Sequence, residues 1–122
     1  MKRRDESLAL AYAAADAYAN EAETIAVVEV VLEDLRERVE ITELEWARLA
    51  QRFRSVLHTN RTAPAVMKIM ALADESRVAR IEAAATRRTR ERRAWERHAQ
   101  EVGGELRRLV AATLDAMRAE PY

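Results

Sequence analysis

The chain has 122 residues, 21 basic and 21 acidic, a length that suits one domain with its own hydrophobic core. With no Cys, two Gly and two Pro, it excludes a disulfide scaffold and thiolate metal sites, and it is short of the residues that the turns of a sheet require. Ala, Leu, Glu and Arg dominate, all strong helix formers, and no apolar run approaches the ~18 residues of a membrane span.

The neutral total hides an asymmetry. Residues 5–45 hold twelve acids and two bases, a net of −10, whereas residues 51–122 hold fifteen bases and nine acids, a net of +6. Only Lys2 and Lys68 are Lys; every other base is Arg, whose planar fork matches phosphate better than an ammonium does. The basic start meets Asp5 and Glu6 at once and runs into an Ala-rich stretch. No signal peptide is expected, and a cytoplasmic location is.

The spacing predicts a first helix over about 5–39. Leu8, Tyr12, Ala15, Ala19, Ala22 and Ala26 step by four and three, and the Ala seam permits close approach of a partner helix. Ile25, Val28, Leu32, Leu35 and Val39 make a second seam on a neighbouring face. Residues 25–32 are rich enough in β-branched side chains to read as a strand, although helical flanks and the lack of a turn signal favour the helix. A break near Asn20 is compatible with the pattern.

Thr42 and Glu45 have the spacing of a capping box, with Ile41 and Trp46 placed as a hydrophobic staple. The second helix then presents Trp46, Leu49, Phe53, Val56 and Leu57 on one face and stops near Asn60. Pro64 restarts the chain for a helix of about ten residues with Val66, Met67, Ile69, Met70 and Leu72. Residues 74–76 are the next junction, or only a kink. A fourth helix over about 76–102 carries a stripe of Val78, Ile81, Ala85, Arg88, Arg92, Trp95, Ala99 and Val102. Gly103 and Gly104 end it, and a last helix over about 105–119 shows Leu106, Leu109, Val110, Leu114 and Met117 before Pro121. The expected fold is all-α: a single domain, a compact bundle of about five mostly antiparallel helices.

No catalytic apparatus is visible. The two His, His58 and His98, stand in no metal-ligand spacing, and there is no Gly-rich phosphate loop, nucleophile elbow or zinc signature. His58 suits the negative end of a helix, and His98 lies on a charged face. The chain is expected not to be an enzyme and to need no cofactor or metal.

The strongest functional feature is residues 86–97, where Arg87, Arg88, Arg90, Arg92, Arg93 and Arg97 face only Glu91 and Glu96, a net of +4. Arg90, Arg93 and Arg97 fall within about 60° of one another on the outer face of a helix. Arg88 and Arg92 fall inside the apolar stripe instead, where an unpaired guanidinium is costly. The helix projects beyond the bundle there and leaves both in water, or acids of the N-terminal helix pair with them, or a polyanion binds them. Trp95 is in register with Ala99 and Val102, which points to the core, although a Trp beside an Arg row can also stack a base. Arg52, Arg54, Arg61 and Lys68 around the junction of the second and third helices are secondary basic candidates. A basic amphipathic helix can also lie on a membrane, but here the apolar face is broken at the Arg cluster, so no membrane partner is expected.

In length, in helicity and in the Arg cluster of residues 87–97, the chain resembles the small-subunit family of multisubunit CRISPR effector complexes. That resemblance implies a helical bundle without an active site, lining a guide or target strand with basic residues. The expected partners are nucleic acid, RNA or single-stranded DNA held by its backbone, and other protein subunits or a second copy met through the acidic N-terminal helix. The alternative is a protein-interaction module: a homo-oligomeric scaffold, a phage regulator or an inhibitor of a host protein.

Overall fold

The computed structural model describes residues 2–120, with side chains from Glu6 onward; Pro121 lies outside the described residues. The chain forms α1 (Lys2–Glu37), α2 (Glu43–Thr59), α3 (Pro64–Ala85) and α4 (Thr89–Ala119), with no strand among the described residues. The all-α class stands. Among the described residues the helices number four rather than about five, because two expected junctions are absent and a new one appears.

α1 runs unbroken through Asn20 and through the β-branched stretch. Val28, Val31 and Leu32 are buried with a helical spacing, and that burial outweighs the local preference for a strand. Asn20 is buried too: its amide donates to Asp74 Oδ1 (3.2 Å) and its carbonyl accepts from Arg77 Nε (3.1 Å). Paired in this way, Asn20 joins α1 to α3 instead of breaking α1. Of the two seams, only the second faces the core. Leu8, Tyr12, Ala15, Ala22 and Ala26 are exposed, so the face expected to receive a partner helix receives none from its own chain. Val39 is exposed beyond the last turn, and the buried seam ends at half-buried Leu35.

At the start of α2 half of the capping box forms. Thr42 Oγ1 accepts from the Glu45 amide (3.2 Å), but the Glu45 carboxylate takes Arg118 Nε (3.0 Å) instead of reaching back. Ile41 is buried next to half-buried Trp46, and Leu49, Phe53 and Leu57 line the inner face.

α3 passes through residues 74–76 because Leu72, Ala73, Ser76, Ala79 and Ala83 continue one buried face, and nothing there opposes a helix. It stops at Thr86, whose amide (3.0 Å) and hydroxyl (2.6 Å) both donate to the Glu82 carbonyl. Beyond that point residues 87–94 are all exposed. A turn at 86–88 leads into α4, which folds back along α3, with Glu75 meeting His98 (3.0 Å) near the middle of the hairpin. α4 then crosses Gly103 and Gly104, neither of which has a positive φ. Val102 and Leu106, buried on either side, hold the helix through them.

Leu32, Leu49, Phe53, Ile69, Leu106, Val110 and Leu114 form the centre of the core, one or more from each helix. Two parts lie outside it. Residues 6–18 of α1 are exposed throughout, and so is the tip of the α3–α4 hairpin over residues 87–94.

Candidate nucleic-acid interface

The hairpin tip collects the cations. Arg87 and Arg88 stand in the turn, and Arg88 is the N-cap of α4, without a side-chain hydrogen bond to the helix amides. The positive end of the helix dipole therefore sits among guanidiniums. Arg90, Arg93 and Arg97 follow along α4, all exposed. The other side of the same turns carries half-buried Trp95 and Ala99 and buried Val102. The row thus points away from the core, as the spacing predicts.

Arg88 and Arg92 are placed differently from the sequence expectation. With the chain turning at 86–88, Arg88 is no longer in the register of the α3 stripe. Its side chain is 84% exposed and 3.7 Å from Glu91; that of Arg92 is 45% exposed and 3.8 Å from Glu96. Neither is a buried cation that needs an answer, and neither meets an acid of α1. Both remain in water, beside a carboxylate of their own helix at a separation too long for a hydrogen bond. Arg87, Arg90, Arg93 and Arg97 make no ion pair with a described residue.

Six acids of α1 are committed elsewhere. Asp16 pairs with Arg77, Glu21 with His58, Glu23 with Arg80, Glu29 with Arg54, Glu33 with Arg36 and Asp34 with Arg38. The groups that pair with these six acids come from α2, from the body of α3 and from α1 itself.

The secondary candidates divide. Arg52 donates to the Met117 carbonyl (3.0 Å) and pairs with Glu120, and Arg54 pairs with Glu29. Both tie helices together. Arg61 lines a groove with Tyr18, Glu21 and Leu57, and Lys68 lines another with Leu72, Glu105 and Arg108. Lys68 lies about 25 Å along α3 from its tip end, at 1.5 Å per residue, so these cations do not extend the Arg row. Trp95 meets His98 edge-to-face with ring centroids 6.2 Å apart. It is turned to the inner side of the hairpin, away from the row, and stands outside the central core cluster.

Among the described residues no group of three His, Asp or Glu is gathered closely enough to hold a metal ion, and no helix is long and apolar enough to cross a membrane. Fold and site together define an all-α protein with a bare cationic hairpin tip. No protein-family model, curated protein or solved structure matches the chain.

Proposed function

We propose that the chain is a non-catalytic subunit that contacts the backbone of RNA or single-stranded DNA through the tip of the α3–α4 hairpin, within a larger ribonucleoprotein or DNA-binding assembly. One observation carries this reading: Arg87, Arg90, Arg93 and Arg97 are exposed and unpaired at one end of the molecule, while most arginines of the α1–α2–α3 body hold a carboxylate. Exposed Arg48, Arg107 and Arg108 hold no carboxylate among the described residues either, but only these four gather at one tip. Their interaction with phosphate is electrostatic and independent of base sequence, driven by the release of counterions. This role is also the one that the likeness to the small subunits of CRISPR effector complexes implies.

Fluorescence anisotropy with a labelled single-stranded RNA and its DNA counterpart tests the proposal. Affinity is expected to fall linearly with salt on logarithmic axes. Replacing Arg87, Arg90, Arg93 and Arg97 with Ala should weaken binding and flatten the slope by ~0.7 for each phosphate that is no longer neutralised. Replacing Arg61 and Lys68 should change neither. A quadruple variant that binds with the original affinity and slope shows that the tip is not the interface.

A further inference from the structure

α1 carries a face that its own chain leaves uncovered. Leu8, Tyr12, Ala15, Ala22, Ala26 and Val30 fall within about 80° of one another on the helix. Leu8 is 50%, Tyr12 69% and Val30 51% exposed. α1 meets the rest of its own chain mainly through other sides: Asn20 and Thr24 reach α3, Glu21 and Glu29 reach α2, and the face itself is flanked only by Trp46, across an open groove with Ala26 and Val30, and half-covered at Ala19. Between residues 8 and 19 the one charged side chain is Asp16, so the first turns of α1 are apolar nearly all round. Helices of that composition are normally covered.

The surface area is large for a chain of this mass. The chain exposes 8871 Å². A folded monomer of its mass, 13.9 kDa, exposes about 6,700 Å² by the usual scaling of surface with size. The excess of about 2,200 Å² is shared between the exposed first turns of α1 and the hairpin tip, and it leaves room for the ~800 Å² that each partner contributes to a standard interface.

We infer that two copies of the chain pair antiparallel along this face of α1, about a two-fold axis close to Ala19. In that register Leu8 stands level with Val30 of the second copy and Tyr12 with Ala26, so the largest ring meets a methyl group. Ala15, Ala19 and Ala22 occupy the centre, where their small side chains let the two helices approach closely. A face that complements itself under a two-fold rotation is what an isologous interface requires. Glu29, Glu33 and Asp34, beyond or beside the apolar stripe, each hold an arginine of their own chain, so apolar burial supplies the affinity. The pairing does not depend on what the hairpin tip binds, since it uses other residues and another force.

Sedimentation equilibrium of the full chain tests it. The expected mass is twice the 13.9 kDa of one chain, in low and in high salt alike. Tyr12→Glu with Ala26→Glu places like charges level with one another across the seam. Both positions are exposed and Glu is a good helix former, so helicity by circular dichroism should hold while self-association weakens at least about 100-fold. Leu10→Glu, on the opposite side of the same turns, should leave the mass unchanged. Because the chain has no Cys, single substitutions also report the register. Ala19→Cys should crosslink to itself through a short bis-maleimide. Leu8→Cys should do so only when mixed with Val30→Cys. A single-chain mass for the native protein at about 100 μM, far above the usual dissociation constants of stable dimers, overturns the inference. So does a dimer that survives Tyr12→Glu with Ala26→Glu or dissociates with Leu10→Glu, or a Leu8→Cys variant that crosslinks to itself.

Discussion

At the scale of single residues, Val39 occupies a place that its side chain opposes. Its φ is 60°. Its amide donates to the Arg36 carbonyl (3.0 Å), and the next amide, of Glu40, donates to that of Leu35 (3.0 Å). These two bonds close α1 in a Schellman motif, where Gly is the usual residue because it bears no Cβ. The valine offsets its strain with no burial, being 88% exposed. Val39→Gly should therefore stabilise the chain by about 1 kcal/mol, the left-handed penalty reduced by the extra freedom that Gly brings to the unfolded state. A higher midpoint in urea unfolding with an unchanged slope is the expected result; a lower one means that the exposed isopropyl group packs against something that matters. Nothing in the sequence marks this position. Val39 fits the spacing of the buried seam and reads as its last member, because spacing reports which face a residue would occupy and not where the helix ends.

At the scale of elements, the periodic parts were legible, as were both ends of α2 and the start of α3 at Pro64; the punctuation of the second half was not. The start of α2 was readable from Thr42, and the inner faces of α2 and of the second half of α4 from their 3–4 spacing, since each rests on a local rule. The junction of α3 and α4 was misplaced by about ten residues. Residues 74–76 resemble a helix stop but lie on a buried face, and the actual turn at 86–88 contains neither Gly nor Pro. That error put Arg88 and Arg92 in the register of a helix that does not continue through them, and with it went the case for buried guanidiniums. The outward row of Arg90, Arg93 and Arg97 survived because its residues are close in sequence and share one helix. Gly103 and Gly104 misled in the opposite sense. Both are interior positions of a 31-residue helix. A Cβ added at Gly104 would lie 3.6 Å from the flexible end of Arg108, and one at Gly103 would lie 3.9 Å from Ser76 Oγ, both ordinary separations. Gly104→Ala should then stabilise by about 0.5–1 kcal/mol, raising the melting temperature by roughly 2–4 °C. No gain on thermal unfolding would mean that α4 flexes at this point.

At the scale of the whole molecule, the arginines divide into those that build the fold and those that project from it, and the two sets should respond oppositely to substitution. Arg77 represents the first. It is largely buried and spans α1 and α3, donating to Asn20 Oδ1 (3.1 Å), Asp16 Oδ1 (3.2 Å) and Asp74 Oδ1 (3.2 Å). Removing it leaves Asn20, a buried polar group, with its carbonyl unmatched, so Arg77→Ala should cost about 2 kcal/mol or more. Arg87, Arg90, Arg93 and Arg97 represent the second set. They touch no carboxylate among the described residues and crowd like charges at one end, so replacing all four with Ala removes repulsion and raises helix propensity. Exposed substitutions of this kind usually stay within about 0.5 kcal/mol each, and the expected quadruple variant melts at the native temperature or slightly above it. Calorimetry of the two variants beside the native chain makes the comparison. Stability lost from the quadruple variant would mean that the tip cations belong to the fold, and a loss of nucleic-acid binding in that variant could then no longer be assigned to the surface it removes.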